Sequence, residues 1–408
     1  MRRLVPLLVG VSLIAAACGS DSGADTTATT TTSSTTSSAS ASVTADAPTD
    51  TTPETTEAPP TTTEPPGTTE AARPEVTAAD LAAEGPYAVG VTTRTLPEGG
   101  LVEIWYPADE STRGGTVTYR VRDFLPESIA TLISGDIDDS FAIDATRDAP
   151  PASDGPFPIV LFSHGAASFR LQSSELAQHL ASWGIVTAST DHPSRDLLNR
   201  FGGTAEGQPP AVDQMRSMRT SLTTLGDDPL LGGALDNDRV ALGGHSAGGA
   251  TIVEMASDPG ILGYVSYASG LGDTAPDVPS MFMAGALDTI VDPIERTQAA
   301  FDAAPPPSWF WNFDGAGHLA FSDLCAIGGG DANLIDLGEA AGLGAFLDEN
   351  IRRLATDGCD EPNRPVQDVW PGINQGATGF YRWVFGTDAE PIGLDESVVT
   401  TGVTISSK

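Results

Sequence analysis

The sequence predicts an α/β fold, a mainly parallel central sheet with helices on both faces. Three observations carry that expectation. Beyond about residue 100, short apolar runs alternate with stretches of helical spacing, the pattern of strand–helix–strand units. One such unit brackets Gly244-His245-Ser246-Ala247-Gly248, a serine at a glycine-flanked apex between an apolar run and a helical stretch. Finally, the clusters of chemically capable side chains follow strands, at the end of the sheet where folds of this class gather function.

Residues 101–106 (Leu-Val-Glu-Ile-Trp-Tyr) alternate as an early strand does and stop at Pro107. Residues 158–163 form a continuous apolar run, as in a strand buried on both faces, and close on Ser163-His164-Gly165-Ala166-Ala167. Helical spacing through Leu171, Leu176, Ala177 and Leu180 predicts a helix over 170–183. The next strand, 184–190, ends at Asp191-His192-Pro193. Pro209 opens a helix over 209–225 with Met215, Met218 and Leu222 on one face. The run 239–243 leads into the apex serine, and a helix is expected over 249–257. Three more strands are expected at 264–268, 280–284 and 309–313, and helices at 294–301 and 377–385. Residues 111–157 form a long excursion between two strands, read as a small insertion capping the site, with a surface loop as the alternative.

The first 75 residues carry no fold signal. Met1-Arg2-Arg3 and an apolar run ending at Ala17 read as a signal peptide over 1–17, too short to span a bilayer permanently. Ala15-Ala16-Ala17-Cys18-Gly19-Ser20 resembles the lipobox of bacterial lipoproteins, which implies lipidation of Cys18. An ordinary secretory signal with an incidental cysteine is the alternative, and either places the mature protein outside the cytoplasm. Residues 18–75 are rich in Thr, Ser and Pro, without apolar periodicity, and read as a disordered tether. A flexible chain of about 55 residues spans roughly 40 Å on average. Residues 76–408 suit one catalytic domain.

A formal charge of −35 with one lysine, Lys408, argues against nucleic acid as a partner, because phosphate is repelled. Anionic lipid surfaces are disfavoured too, so membrane attachment falls to the anchor on Cys18. With Cys18 so assigned, Cys325 and Cys359 remain as an even pair in an oxidising compartment and are expected to form a disulfide.

In a chain with 44 glycines, one Gly-x-Ser-x-Gly proves little by itself. A serine hydroxyl needs a base, and the base needs an orienting acid. Of five histidines, His245 lies inside the turn, His179 on a helix, and His164 and His192 after earlier strands. His318, in Asp314-Gly315-Ala316-Gly317-His318 after the last apolar strand, is the expected base. Asp288, in Gly285-Ala286-Leu287-Asp288, is the expected acid, with Asp292 as its rival. The expected oxyanion hole pairs the N–H of Ala247 with that of Ala166. No metal or cofactor is expected. The domain is expected to be a monomer.

These residues resemble the α/β-hydrolase superfamily, whose order of nucleophile, acid and base is that of Ser246, Asp288 and His318. The resemblance narrows to the branch of dienelactone-hydrolase-like proteins, bacterial cutinase-like polyester hydrolases and platelet-activating-factor acetylhydrolases. Gly85-Pro86-Tyr87-Ala88-Val89-Gly90, Glu103-Ile104-Trp105-Tyr106-Pro107 and Phe162-Ser163-His164-Gly165 are similar to that branch's early motifs. Gly285-Ala286-Leu287-Asp288-Thr289-Ile290 resembles the cutinase-like acid motif, and His318-Leu319-Ala320-Phe321-Ser322-Asp323 the acetylhydrolase and dienelactone-like histidine motif. Acetylhydrolases of this type carry their acid one strand earlier, where this chain has Ser269-Gly270. Dienelactone hydrolases use cysteine where Ser246 stands, and the aromatic clamp of polyester hydrolases is replaced by Ala166 and Gly270-Leu271. The resemblance implies a secreted, lipid-anchored serine esterase acting on carboxylic esters, lipid or polyester substrates included. Alternatives are acyl transfer to a cell-envelope acceptor, a phospholipase or acetylhydrolase-type lipase, and a non-catalytic binding lipoprotein.

Overall fold

The computed structural model describes residues 76–134, 137–270, 275–330, 333–395 and 402–408. The signal peptide over 1–17, Cys18 and the tether over 18–75 lie outside the described residues. The strands are β1 (Ala88–Thr95), β2 (Leu101–Ala108), β3 (Val117–Arg120), β4 (Ser140–Ile143), β5 (Thr146–Arg147), β6 (Phe157–Ser163), β7 (Val186–Thr190), β8 (Leu235–His245), β9 (Ile261–Tyr267), β10 (Ser280–Gly285), β11 (Ser308–Phe313) and β12 (Val403–Ser407). The helices are α1 (Ala78–Leu81), α2 (Glu127–Ala130), α3 (Ser174–Ser182), α4 (Leu197–Gly202), α5 (Ala211–Thr223), α6 (Ala247–Met255), α7 (Ala299–Ala303), α8 (Leu334–Ala340), α9 (Glu349–Thr356) and α10 (Trp370–Val384).

Among the described residues the main sheet runs β12-β11-β10-β9-β8-β6-β7-β2-β1-β5. From β7 through β6, β8, β9 and β10 to β11 every neighbour is parallel. The antiparallel pairs β1–β2, β2–β7 and β11–β12 lie toward its two edges. The chain adds β7 on one side of β6 and β8 on the other, so strand order reverses there. A crevice opens outside the strand ends at such a reversal. Both the loop after β6 and the turn after β8 enter it.

Strand side chains alternate between two cores, one on each face. Ile159, Leu161, Val240 and Leu242 face Met215, Met218 and Leu222 of α5 and Ile252 of α6. Val160, Phe162 and Ala241 face Leu176 and Leu180 of α3 and Ile373, Ala377 and Phe380 of α10. Each fully buried aliphatic or aromatic side chain here contributes roughly 1.5–3 kcal/mol. The expected α/β architecture, with helices on both faces, is what the chain forms.

Several helix boundaries differ from the sequence reading, each for a local reason. The helix expected over 170–183 begins at Ser174, because Asp323 reaches its N-terminus and accepts the Ser174 and Glu175 N–H groups at 2.6 and 3.2 Å. That distant carboxylate replaces a local cap. The stretch 294–301 opens as a π-helix, Pro293–Gln298, with Thr297 N–H reaching back to the Asp292 carbonyl. The helix expected over 377–385 starts seven residues earlier, at Trp370. Gly372, Gly376 and Gly379 obscure its apolar stripe. Yet a Cβ on Gly376 would stand 2.7 Å from Met283 Cε, so the small residue is what lets α10 approach the sheet.

The excursion over 111–157 folds as the hairpin β3–β4 and then adds β5 to the sheet edge beside β1. Tyr119, Phe124 and Phe141 pack with Val91 and Trp105 and with Phe169 and Ala177. The Phe124 ring stacks on Phe169 at 4.3 Å between centroids, two residues beyond Ala167. The insertion thus covers the β1–β2 flank and abuts the loop that follows β6.

Candidate active site

Strand register explains why distant residues meet. Ser163 of β6 pairs with Gly244 of β8, His245 with Tyr267 of β9, and Gly285 of β10 with Phe313 of β11. The parallel strands therefore end in one row, and their loops emerge together.

At the end of β8 the backbone turns straight into α6. Ser246 has φ 55° and ψ −122°, a conformation that side chains rarely adopt. Its strain is held by packing on every side. A Cβ on Gly244 would stand 2.5 Å from the Gly248 carbonyl oxygen, and one on Gly248 would overlap the Ser163 carbonyl. Glycine is required at both places because backbone meets backbone. This is a nucleophile elbow in its geometry, with Ser246 Oγ held out above the turn.

The His318 ring stands beside it, with Nε2 2.9 Å from Ser246 Oγ. Its Nδ1–H donates to Asp288 Oδ2 at 2.8 Å, which leaves Nε2 free to accept the serine hydroxyl. Asp288 is itself fixed, since Oδ1 accepts the N–H groups of Ile290 and Val291, each at 2.8 Å. Asp292, the rival acid, instead caps the next helix by accepting from Ile294 and Glu295. At the position one strand earlier stands Ser269, which packs against Gly249.

The loop after β6 lies against the elbow, for a Cβ on Gly165 would be 3.4 Å from Ser246 Cβ. The Gly165 N–H is committed to Gln172 Oε1 at 2.7 Å, and Ala167 N–H to the Arg195 carbonyl at 2.8 Å. Ala166, between them, is exposed, and Ala247 is the first residue of α6. Among the described residues, neither N–H has an internal hydrogen-bond partner. The helix start at Ala247 adds the partial positive charge of its unpaired N–H groups.

The other four histidines are buried and held neutral. Desolvation lowers His164 to about 3 and His179 to about 4, and places His192 and His245 well below their ordinary value. His245 has a structural part that sequence reasoning missed. Gln172 Nε2–H donates to His245 Nδ1 at 2.7 Å, and His245 Nε2–H donates to the His318 carbonyl at 3.0 Å. One side-chain relay therefore joins the β6 loop, the elbow and the histidine loop. Asp357 was missed as well. Its Oδ1 accepts His318 N–H at 2.6 Å, while Oδ2 accepts the Thr289 N–H at 3.0 Å and the Thr289 hydroxyl. A single carboxylate ties the base loop to the acid loop. Two residues on, Cys359 is bonded to Cys325 with Cα atoms 4.9 Å apart, which pins this strap beside the site. No motif in the sequence marks Gln172 or Asp357.

A parallel sheet with an elbow after β8, an aspartate after β10 and a histidine after β11 decides the fold. The chain has the α/β-hydrolase fold. A family model described as platelet-activating factor acetylhydrolase, isoform II, matches residues 84–199 of the chain. The matched stretch takes in the β6 loop and ends before Ser246. Among similar proteins are two platelet-activating factor acetylhydrolases. That of Cavia porcellus is 25% identical over 193 residues, 38% of this chain and 43% of that protein. That of Canis lupus familiaris is 22% identical over 230 residues, 43% of this chain and 51% of that protein. The chain thus spans about half the length of the curated relatives it matches. Within the α/β-hydrolases, the similarity runs to the platelet-activating-factor-acetylhydrolase-like branch.

Proposed function

We propose that the protein is an extracytoplasmic serine esterase, tethered to a membrane through lipid on Cys18. The observation that carries the reading is the unbroken chain from Ser246 Oγ through His318 to Asp288, at 2.9 and 2.8 Å. Ser246 Oγ attacks the ester carbonyl carbon while His318 Nε2 takes its proton. Asp288 holds the imidazole in the right tautomer and balances the imidazolium. The N–H groups of Ala166 and Ala247 receive the developing oxyanion. Collapse breaks the bond to the alcohol oxygen, which takes the proton from His318 and leaves. Water then repeats the sequence on the acyl-enzyme, and the carboxylic acid departs.

For substrate, the family match and the names of the two relatives favour short acyl esters of glycerophospholipids over polyesters. The test is Ser246→Ala, measured on a panel of p-nitrophenyl and phospholipid esters graded by acyl length, beside fluorophosphonate labelling. Turnover and labelling should both vanish while the circular dichroism spectrum stays that of the parent. Ester turnover that survives Ser246→Ala would sink the assignment.

A further inference from the structure

The loop after β7 sends Arg195 under the elbow. Among the described residues it forms no ion pair, and its Nε is buried without a partner. Its other N–H groups go to neutral oxygens on both sides of the crevice. Nη2 donates to the His164 carbonyl and to Ser163 Oγ, each at 2.7 Å. Nη1 donates to Thr251 Oγ1 at 2.7 Å and to the Ala247 carbonyl at 3.2 Å. The Arg195 carbonyl also accepts the N–H of Ala167, a non-glycine residue held at φ 51°. The guanidinium thus bridges the β6 loop, which presents Ala166, to the first turn of α6, which presents Ala247.

A part-buried guanidinium with no counter-ion among the described residues is costly to hold in place. Desolvation brings Arg195 down to about 9, and its charge helps hold His164 and His192 neutral.

We propose that Arg195 is a positioning residue of the oxyanion hole, fixing the spacing of the Ala166 and Ala247 donors by bridging the β6 loop to the first turn of α6. This rests on the esterase reading, and the experiment separates the two. Fluorophosphonate titration of the unsubstituted full-length protein comes first. Absence of labelling there overturns the esterase reading, and this inference falls with it. With labelling secured, Arg195→Gln and Arg195→Lys are assayed per titrated active site on a p-nitrophenyl ester. We expect kcat to fall about 100-fold in Arg195→Gln and about tenfold in Arg195→Lys, with KM within about threefold. Affinity for a boronic acid, which becomes tetrahedral and anionic on Ser246, should fall in step with kcat. A merely structural arginine would lower Tm and the titratable fraction yet leave kcat per site and boronate affinity intact. That result overturns the proposal. Should Arg195→Gln fail to fold, Arg195→Lys decides by the same two readings.

Discussion

Asp357→Asn is the sharpest perturbation of the site that leaves its three central residues untouched. The carboxylate accepts from His318 N–H with one oxygen and from the Thr289 N–H and hydroxyl with the other. An amide keeps one acceptor and turns a donor toward the remaining N–H, so it can hold one loop but not both. Hydrogen bonds to a charged acceptor are worth about 1.5–3 kcal/mol each, and partial exposure of Asp357 argues for the lower end, about 2 kcal/mol. With an unfolding entropy of about 2.1 cal/mol/K per residue over about 330 residues, that lowers Tm by only about 3 °C. The catalytic effect should be larger. A few tenths of an ångström of slack between His318 and Asp288 would cut kcat by about 10- to 100-fold with KM nearly constant. Both readings come from one preparation, by differential scanning fluorimetry and by ester turnover normalised to fluorophosphonate-labelled sites. Loss of Tm with unchanged kcat per site would refute the reasoning, since Asp357 would then fasten the surface without aligning the triad.

Other expectations follow from the same contacts. Gly248→Ala drives a Cβ into the Ser163 carbonyl, so turnover should drop about 100-fold or more, read against a soluble, folded control. Reducing the Cys325–Cys359 bridge, sequence separation 34, should cost roughly 3–4 kcal/mol on the chain-entropy model, hence about 5 °C of Tm; thermal melts with and without phosphine reductant check it. Burial pushes Glu175 up to about 7. Between an unfolded value near 4.5 and that folded value, the native state keeps a proton that the unfolded chain has lost, so this group's contribution to stability falls as pH rises. Glu175→Gln keeps the acceptor facing Asn374 and removes the titration. Its Tm relative to the parent should climb from pH 5 to pH 8, and a constant difference would contradict the burial argument.

Much of this was legible because strands buried on both faces are continuous apolar runs. Residues 158–163 and 239–243 announced β6 and β8 without ambiguity, and the glycines around Ser246 announced the turn between β8 and α6. Elimination among five histidines reached His318, since the other four sit where a chain pass places them, on a helix, inside the elbow or after earlier strands. Helix ends were less legible. Asp323 caps α3 from far along the chain, and glycines that admit α10 to the sheet look like helix breakers. The supporting residues were not legible at all. Gln172, Arg195 and Asp357 are ordinary polar side chains in sequence, and only strand register brings them to the elbow. Spacing along the chain finds Ser246, Asp288 and His318, but the groups that hold them in place are found only by contact.

The disulfide also changes what happens if the chain is cut. Gly342 lies in an exposed turn after α8, a setting that suits nicking by proteases. A cut there severs the polypeptide between His318 and Asp357, yet Cys325–Cys359 keeps the two pieces as one molecule. Nicked protein would run as a single band without reductant and as two with it. A nicked chain thus loses its covalent continuity and still keeps the strap that carries Asp357 seated against His318.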